Sequence, residues 1–188
     1  MLVLLIVSTT TACVRIDKNV RYADRSERNV LDIYMPYGAK KPPLVVWIHG
    51  GAFKAGDKNN PVGLKEFLDA GFAVASINYR FSQEATWPAQ LEDLKNAFTF
   101  LRMNAAAYGY DANRIASFGA SAGGHLSAMA GIAFAGDPGM RLTASVAWFP
   151  PIDFSTMDED LETTGLKGHM GPIDAPDSPA SKLIGAPV

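Results

Sequence analysis

The sequence predicts an α/β fold in which a mostly parallel sheet has helices on both faces. Short, largely apolar runs, which are typical of strands buried on both faces of a parallel sheet, occur at residues 44–48, 72–77 and 114–118. Helical patterns alternate with these runs, the longest at residues 88–108. Neither an internal repeat nor a linker interrupts this alternation.

Two earlier strands are expected near the N-terminus. Apolar and polar side chains alternate in residues 14–17 and 30–34, as in strands with one buried face. The polar residues 24–29 between them predict a turn, and residues 36–43, with prolines, a glycine and two lysines, predict a loop. The apolar run at residues 44–48 then predicts the first fully buried strand.

The central part of the chain alternates helix and strand. Residues 62–70 predict a helix that stops at Gly71, before the buried strand at 72–77. In the next helix Pro88 suits the first turn, and the helix is expected to end near Gly109. Its apolar face is formed by side chains at three- and four-residue steps: Leu91, Leu94, Phe98, Leu101 and Ala105.

After the strand at 114–118 we expect a helix at residues 125–134 and a fourth buried strand at 142–149. From Pro150 onward prolines, glycines and acidic residues dominate and little periodicity remains. A compact domain rarely ends on such a stretch, so we expect that the last strands of the sheet are missing.

Composition and charge narrow the class of protein. Hydrophobic residues make up 48% and charged residues 19% of the 188 positions, as in a globular domain. The formal net charge of −2, without runs of like charge, argues against a nucleic-acid partner, which would require an excess of basic residues.

The N-terminal residues 1–13 predict export. An apolar run at residues 1–7 is followed by small and polar residues and by Cys13, the only cysteine, so no intrachain disulfide is possible. This order resembles a bacterial lipoprotein signal, in which Cys13 would be lipidated and would anchor the protein to a membrane of the cell envelope. No Lys or Arg precedes the apolar run, and Thr10 stands where an aliphatic residue is usual. A buried N-terminal strand with an inert thiol is therefore the alternative.

The strongest motif is G-x-S-x-G at residues 119–123, between a predicted strand and a predicted helix. In this context Ser121 lies on a sharp turn, where Gly119 and Gly123 avoid collisions between side chains. The turn places the serine hydroxyl at a helix N-terminus, which favours negative charge. Ser121 is therefore a candidate nucleophile, although the motif alone also occurs by chance in turns.

A second motif, His-Gly-Gly-Ala-Phe at residues 49–53, directly follows a buried strand. Acyl transfer passes through an oxyanion that needs fixed hydrogen-bond donors, and a glycine-rich loop can direct backbone amides toward it. The amide of Ala122, next after the serine, is a further donor. The motif alone is also compatible with an ordinary turn, but the two motifs together predict an esterase-like site.

Other side chains are weaker candidates. His49 is expected to shape the loop rather than to act as a base, and His125, one helical turn after Ser121, is expected in a supporting layer bonded to a nearby loop. Asp57 either holds the glycine-rich loop or is an exposed turn residue. Three aromatic residues are interpreted as core or rim residues rather than walls of an acyl pocket: Tyr79, Trp87 and Trp148.

Five segments carry a family resemblance: residues 45–53, 76–80, 87–90, 111–115 and 119–125. They resemble bacterial carboxylesterases of the BD-FAE type, which takes in feruloyl and acetyl esterases, beside the hormone-sensitive lipase group. The resemblance covers about residues 20–188. It implies an α/β-hydrolase fold, here for residues 14–188, without a metal or organic cofactor. The implied substrate is a small-molecule or polysaccharide-linked ester.

The same resemblance implies the roles of the site residues. Ser121 would be the nucleophile, supported by the motif glycines. Amides of Gly50, Gly51 or Ala52, together with Ala122, would form the oxyanion hole. Ala52 stands where the lipase group has a third glycine, as in many proteins of the BD-FAE type.

The C-terminal part departs from the family pattern. The family places the triad acid and then the histidine after two further strands, and residues 177–187 resemble the stretch just before those strands. His169 has no strand before it, and Asp153 fits a structural or substrate-loop role better than that of triad acid. Without acid and base, we expect negligible esterase activity from this chain alone.

Two other classes of function stay open. The chain is also compatible with a non-catalytic hydrolase-fold module that binds a partner, and with an amidase or peptidase of the same fold. The motifs around Ser121 do not separate ester from amide cleavage, and they predict no oligomeric state.

Overall fold

A computed structural model describes residues 14–165 and 171–188. The signal-like residues 1–13, with Cys13, and His169 lie outside the described residues. The described strands are β1 (Arg15–Arg21), β2 (Val30–Met35), β3 (Leu44–Ile48), β4 (Ala73–Ile77), β5 (Ile115–Ala120) and β6 (Ala144–Trp148). The described helices are α1 (Leu64–Asp69), α2 (Ala89–Tyr108), α3 (Ala122–Ala133), α4 (Met157–Thr163) and α5 (Pro179–Ile184). None of these helices is long and apolar enough to cross a bilayer.

The strands form one mostly parallel sheet in the order β1-β2-β4-β3-β5-β6. The strands β4, β3, β5 and β6 are parallel, whereas β2 pairs antiparallel with both of its neighbours. In the β3–β5 pairing Ile48 lies opposite Gly119. Because the two parallel strands end side by side, the loops that follow them leave the sheet next to each other.

Helices cover both faces of the sheet, as predicted. The main core joins one face to α2 and α3, and its fully buried side chains include Ile48, Leu94 and Leu126. On the opposite face Trp47 packs with Phe67, which lies in α1. The predicted α/β class and the α/β-hydrolase arrangement of parallel strands and helices are confirmed.

The predicted strands agree with the observed ones to within a few residues. An apolar run of about four to eight residues between turn residues is too short for a typical helix and therefore favours a strand. Helix α3 is the exception among the central elements. It begins at Ala122, three residues before the predicted start at His125. Its first turn contains Gly123 and Gly124, which have neither helix propensity nor an apolar side chain, so the pattern does not reveal it.

Two short helices follow β6, where no element was predicted. Helices α4 and α5 have seven and six residues, too few for a helical pattern to stand out. Helix α5 has clear local support, because Ser178 caps it by accepting a hydrogen bond from the amide of Ser181 and Pro179 occupies its first turn. The buried Leu183 attaches it to the core.

Strand β6 forms one edge of the described sheet and pairs with β5 alone. Its side chains Val146 and Trp148 are about half exposed, and Phe149 directly after it is 64% exposed. Among the described strands, none pairs with the outer side of β6.

Candidate active site

Ser121 lies on the sharp turn between β5 and α3. Its backbone has a φ of 54° and a ψ of −124°, a conformation that a serine adopts only when the surrounding structure holds it. Its amide donates to the carbonyl of Trp148 at 2.9 Å, and its carbonyl accepts from the amide of His125 at 3.0 Å. These two bonds hold the turn to β6 on one side and to α3 on the other.

Close backbone contacts explain the glycines around the serine. A Cβ atom at Gly119 would lie 2.1 Å from the carbonyl oxygen of Gly123. A Cβ atom at Gly123 would lie 2.1 Å from the carbonyl oxygen of Ile48, at the end of β3. Gly124, which the sequence analysis did not single out, has a similar restriction, since its Cβ would lie 2.8 Å from the carbonyl oxygen of Trp148. The glycines therefore let α3 begin directly against two strands.

The loop after β3, residues 49–56, is called the glycine loop below. Three consecutive residues in it, Gly51, Ala52 and Phe53, have positive φ values of 114°, 52° and 59°. A Cβ atom at Gly50 would lie 3.3 Å from Cβ of Ser121. The glycine loop therefore packs directly against the serine, as the adjacent ends of β3 and β5 require.

Three backbone amides at this junction have no backbone acceptor. Within the described part of the chain, the amides of Gly51, Ala52 and Ala122 donate no backbone hydrogen bond. The carbonyl of Gly51, in contrast, accepts from the amides of Lys54 and Ala55, both at 3.0 Å. Because the C=O and N–H of one peptide unit point in opposite directions, these two bonds also fix the direction of the Ala52 amide.

His49 lies at the start of the glycine loop and is almost fully buried. Its Nδ1 lies 2.7 Å from the carbonyl oxygen of Gly50, and its ring stacks on Tyr79 with 4.5 Å between the centroids. The Tyr79 hydroxyl donates to the His49 carbonyl at 2.9 Å. Burial lowers the pKa of His49 to about 4, so the ring is neutral near pH 7. All of these contacts are with the loop and the core.

His125 lies one turn into α3. Its Nδ1 is 2.8 Å from the carbonyl oxygen of Pro151, in the segment that follows β6. Its ring lies among three aromatic rings, those of Phe53, Trp87 and Phe154. His125 thus connects α3 to the segment after β6.

A cavity of about 250 Å³ adjoins Ser121. Apart from Ser121, its lining is formed by apolar residues of the glycine loop, of the segment after β6 and of the region around α5: Ala52, Phe53, Ala122, Phe149, Pro150, Pro151, Phe154, Met157, Ile173, Pro179 and Ala180. Tyr79, Trp87 and Trp148 are not among its walls. The cavity therefore suits an apolar group of a ligand that lies next to Ser121.

The described part of the chain shows no base hydrogen-bonded to the Ser121 hydroxyl. Within residues 14–165 and 171–188, no histidine is hydrogen-bonded to the Ser121 hydroxyl. Asp153 is exposed, and its carboxylate accepts from the hydroxyl and the amide of Ser155, at 2.6 and 2.9 Å. These bonds, the hydroxyl first, lower the pKa of Asp153 and make it part of a local turn.

A metal site within the described residues would also require a group of ligating side chains. No three of the histidine, cysteine, aspartate and glutamate side chains in residues 14–165 and 171–188 form a group that could hold a metal ion.

A buried ion pair that the sequence pattern does not reveal lies just beyond the glycine loop. The Nζ of Lys58 lies 2.8 Å from Oδ1 of Asp32, and both side chains are at most 4% exposed. The amide of Lys58 also donates to Oδ1 of Asn78 at 2.8 Å, while Nδ2 of Asn78 donates to the neighbouring Asp57 at 3.1 Å. Asp57 is therefore both exposed and bonded. Nothing in the local pattern separates Lys58 from a surface lysine.

Comparison with known proteins agrees with this geometry. The family model described as BD-FAE matches residues 31–188. The chain belongs to the BD-FAE family.

Named relatives of this BD-FAE chain are esterases. Esterase LipQ of Mycobacterium tuberculosis is 32% identical over 128 residues, which is 65% of this chain and 30% of LipQ. Carboxylesterase NlhH of the same species is 32% identical over 136 residues, 71% of this chain and 43% of NlhH. The chain is thus a member of a carboxylic ester hydrolase family, and it spans less than half of the length of these two relatives.

A solved structure of a bifunctional GH43-CE protein of Bacteroides eggerthii superimposes with a TM-score of 0.77 at 34% identity, over 92% of this chain and 24% of that one. A truncated carbohydrate esterase from gut microbiota gives a TM-score of 0.75 at 33% identity, over 95% of this chain and 67% of that one. These matches confirm the resemblance stated from the sequence motifs.

Proposed function

We propose that this chain holds the nucleophile and the oxyanion hole of a serine-dependent carboxylic ester hydrolase, with Ser121 as the nucleophile. The observation that supports this most strongly is the strained Ser121 turn packed against Gly50, beside amides that have no backbone acceptor. Strain of this kind persists where the surrounding structure holds it, and it is concentrated at functional sites.

In the proposed reaction the Ser121 Oγ attacks the carbonyl carbon of the ester, and its proton passes to a base. The carbonyl oxygen becomes an oxyanion, which accepts hydrogen bonds from the amides of Gly51, Ala52 and Ala122. The C–O bond to the alcohol breaks, the alcohol leaves with the proton, and an acyl-enzyme remains. Water then releases the acid and restores the serine.

We place the apolar portion of the ester in the cavity beside Ser121, because its lining other than the serine is apolar. The substrate would be a small-molecule or polysaccharide-linked ester. A polysaccharide-linked ester agrees with the neighbour described as a carbohydrate esterase.

We place the base of the triad outside the described residues, because no described histidine is bonded to the Ser121 hydroxyl. We place the acid there as well, because Asp153 is bonded within its own turn. Loss of a triad member leaves only about 10³–10⁴-fold catalysis over water. We therefore expect negligible hydrolysis of p-nitrophenyl acetate by the 188-residue chain.

This expectation is tested with the chain itself, Ser121→Ala and His169→Ala. Turnover that is lost in Ser121→Ala would contradict the expected inactivity, and its additional loss in His169→Ala would identify His169 as the base. An extended form that gains turnover on which Ser121→Ala has no effect would refute Ser121 as the nucleophile.

A panel of acyl esters and aryl amides separates the three classes of function in such an extended form. An esterase hydrolyses the esters at a Ser121-dependent rate and leaves the amides. Faster cleavage of the amides identifies an amidase or peptidase, and no turnover of either indicates a binding module.

We also propose, from the sequence pattern, that residues 1–13 direct export and that Cys13 receives a lipid. Labelled palmitate should be incorporated on expression in a bacterial host, and Cys13→Ser should abolish the label. Equal labelling of both forms, or of neither, would refute the anchor.

A further inference from the structure

One arginine contacts both ends of the glycine loop from the turn between β1 and β2. The Nη2 atom of Arg28 lies 3.2 Å from the carbonyl oxygen of Gly56 and 3.4 Å from Nε2 of His49. Its Nε donates to the carbonyl of Tyr79 at 2.8 Å. The guanidinium carbon lies 3.6 Å from the centroid of the Phe81 ring. The proposed reaction assigns no role to this residue.

The two ends that Arg28 joins are also in direct contact. A Cβ atom at Gly56 would lie 2.4 Å from both Nδ1 of His49 and the carbonyl oxygen of Gly50. No side chain fits between the start and the end of the loop. A side chain at position 56 would therefore displace His49 or the Gly50 carbonyl.

The contacts of His49 define which ring nitrogen carries the proton. A carbonyl oxygen can only accept, so the 2.7 Å contact with Gly50 requires a proton on Nδ1. In the neutral ring Nε2 is then an acceptor, and it faces Nη2 of Arg28, which can only donate. Arg28 thus favours the tautomer that bonds to Gly50.

This tautomer affects the proposed oxyanion hole because it orients the peptide unit between Gly50 and Gly51. The Gly50 carbonyl and the Gly51 amide belong to the same trans peptide and point in opposite directions. When His49 holds the carbonyl, it also sets the direction of the Gly51 amide, and Gly50 packs against Ser121. A rotation of this peptide would turn the amide away from the carbonyl oxygen of a bound ester.

We propose that Arg28 is a positioning residue of the oxyanion hole, which holds His49 in its Nδ1–H tautomer and keeps Gly56 against it so that the Gly51 amide stays directed at the oxyanion. Arginine suits this role, because its planar fork donates in fixed directions while its face lies on an aromatic ring. The proposal rests on the proposed function, yet the contacts that support it do not involve the Ser121 hydroxyl.

The test uses nuclear magnetic resonance on the 188-residue chain and on three variants: Arg28→Gln, Arg28→Lys and Arg25→Gln. Arg25 is the matched control, since it lies on the same turn, is 60% exposed and pairs with Glu92 at 3.5 Å. Ring nitrogen shifts report the tautomer of His49. Hydrogen exchange of the Ala55 amide, which is bonded to the Gly51 carbonyl, reports the order of the loop.

In Arg28→Gln we expect His49 to populate both tautomers, the amide signal of Gly51 to shift, and the Ala55 amide to exchange about tenfold faster. Arg25→Gln should match the wild type in the His49 tautomer, the Gly51 amide signal and the Ala55 exchange rate. Arg28→Lys retains the charge but not the fork, so it should keep the fold and still show mixed tautomers. This variant decides the test if Arg28→Gln does not fold. Unchanged His49 tautomer and Ala55 exchange in the folded Arg28 variants would overturn the proposal.

A catalytic measurement separates this proposal from the proposed function. In an extended form with Ser121-dependent turnover, Arg28→Gln should lower kcat at least tenfold with KM within twofold, because the oxyanion forms only in the transition state. Unchanged kcat would overturn the catalytic part of the proposal. If Ser121→Ala retains full turnover, the proposed function fails instead, while the resonance data still decide whether Arg28 holds the loop.

Discussion

The glycine loop after β3 and the segment after β6 both border the Ser121 cavity, but they are held in different ways. The glycine loop and the residues just beyond it bond to distant parts of the chain, through Arg28, Tyr79 and the buried Lys58–Asp32 pair. The segment after β6 has mostly local hydrogen bonds, such as those between Asp153 and Ser155.

Few described hydrogen bonds join the segment after β6 to the rest of the molecule. Nδ1 of His125 bonds to the carbonyl of Pro151, and the amide of Trp87 donates to the carbonyl of Leu183 at 2.7 Å. From this difference we expect the glycine-loop side of the cavity to be more rigid than the opposite wall, which depends on local turns and apolar packing. A cavity bordered in this way can change the wall after β6 at low cost in stability.

The largest expected effect is on the buried ion pair of the rigid side. Lys58→Met leaves the carboxylate of Asp32 buried without its cation, which should lower the free energy of unfolding by about 3–5 kcal/mol. Urea unfolding followed by circular dichroism measures this loss of free energy of unfolding. Lys65→Met removes an exposed lysine that pairs with Asp69 and should leave the midpoint unchanged. Equal midpoints for the two variants would contradict the proposed rigidity.

The next effect concerns the close approach of α3 to β3. In Gly123→Ala the new methyl group would lie 2.1 Å from the carbonyl oxygen of Ile48, so α3 must move, at a cost of about 3 kcal/mol. Gly136→Ala is the matched control, because nothing lies within 4 Å of its Cβ position. Urea midpoints compare the two variants. A neutral Gly123→Ala would show that α3 can shift freely away from β3.

The third effect depends on pH. Burial lowers the pKa of His49 from its ordinary value of 6.5 to about 4, so between these values the unfolded chain binds more protons than the folded one. The neutral ring therefore stabilises the fold fully above pH 6.5, and this contribution is lost as the pH falls toward 4. The charged groups that act on the ring are Arg28, which lowers its pKa, and Asp57, which raises it.

His49→Gln removes this titration while keeping a polar side chain at the start of the glycine loop. The loss of stability between pH 7 and pH 4 should be smaller in the variant than in the wild type, by up to about 3 kcal/mol. Urea unfolding at the two pH values measures the difference. The same pH dependence in both proteins would mean that His49 is not a buried neutral residue.

The smallest effect lies in the segment after β6. Ser178 caps α5, and its loss in Ser178→Ala should cost about 1 kcal/mol. Thr156 occupies the corresponding position of α4 without a side-chain cap bond, so Thr156→Ala should change the free energy of unfolding by less than about 0.5 kcal/mol. A loss of several kcal/mol in Ser178→Ala would show that this segment is held as firmly as the glycine loop.

Much of the fold could be predicted from the sequence, because the buried strands are apolar runs between turn residues and α2 has a regular apolar face. The turn at Ser121 was also predictable, since Gly119 and Gly123 mark places where backbone approaches backbone. The start of α3 and the helices α4 and α5 were not. A glycine-rich first turn and helices of six or seven residues have no periodic pattern to detect.

Arg28 and Lys58 were missed for a different reason. Each lies in a polar stretch that resembles an exposed turn, and each has its important partners far away in the chain. His49 is 21 residues from Arg28, and Asp32 lies on β2. Local composition predicts the exposure of such side chains on average, whereas a specific buried pair depends on which segments the fold brings together.

Ser121 shows where local information stops. The residues around it specify a turn with positive φ, a helix N-terminus and space for close backbone contact, because these are preferences of short segments. That the glycine loop lies against this turn depends on β3 pairing with β5 so that Ile48 faces Gly119. This register is set by hydrogen bonds and packing between segments some 70 residues apart in the chain. No short stretch of sequence contains that information.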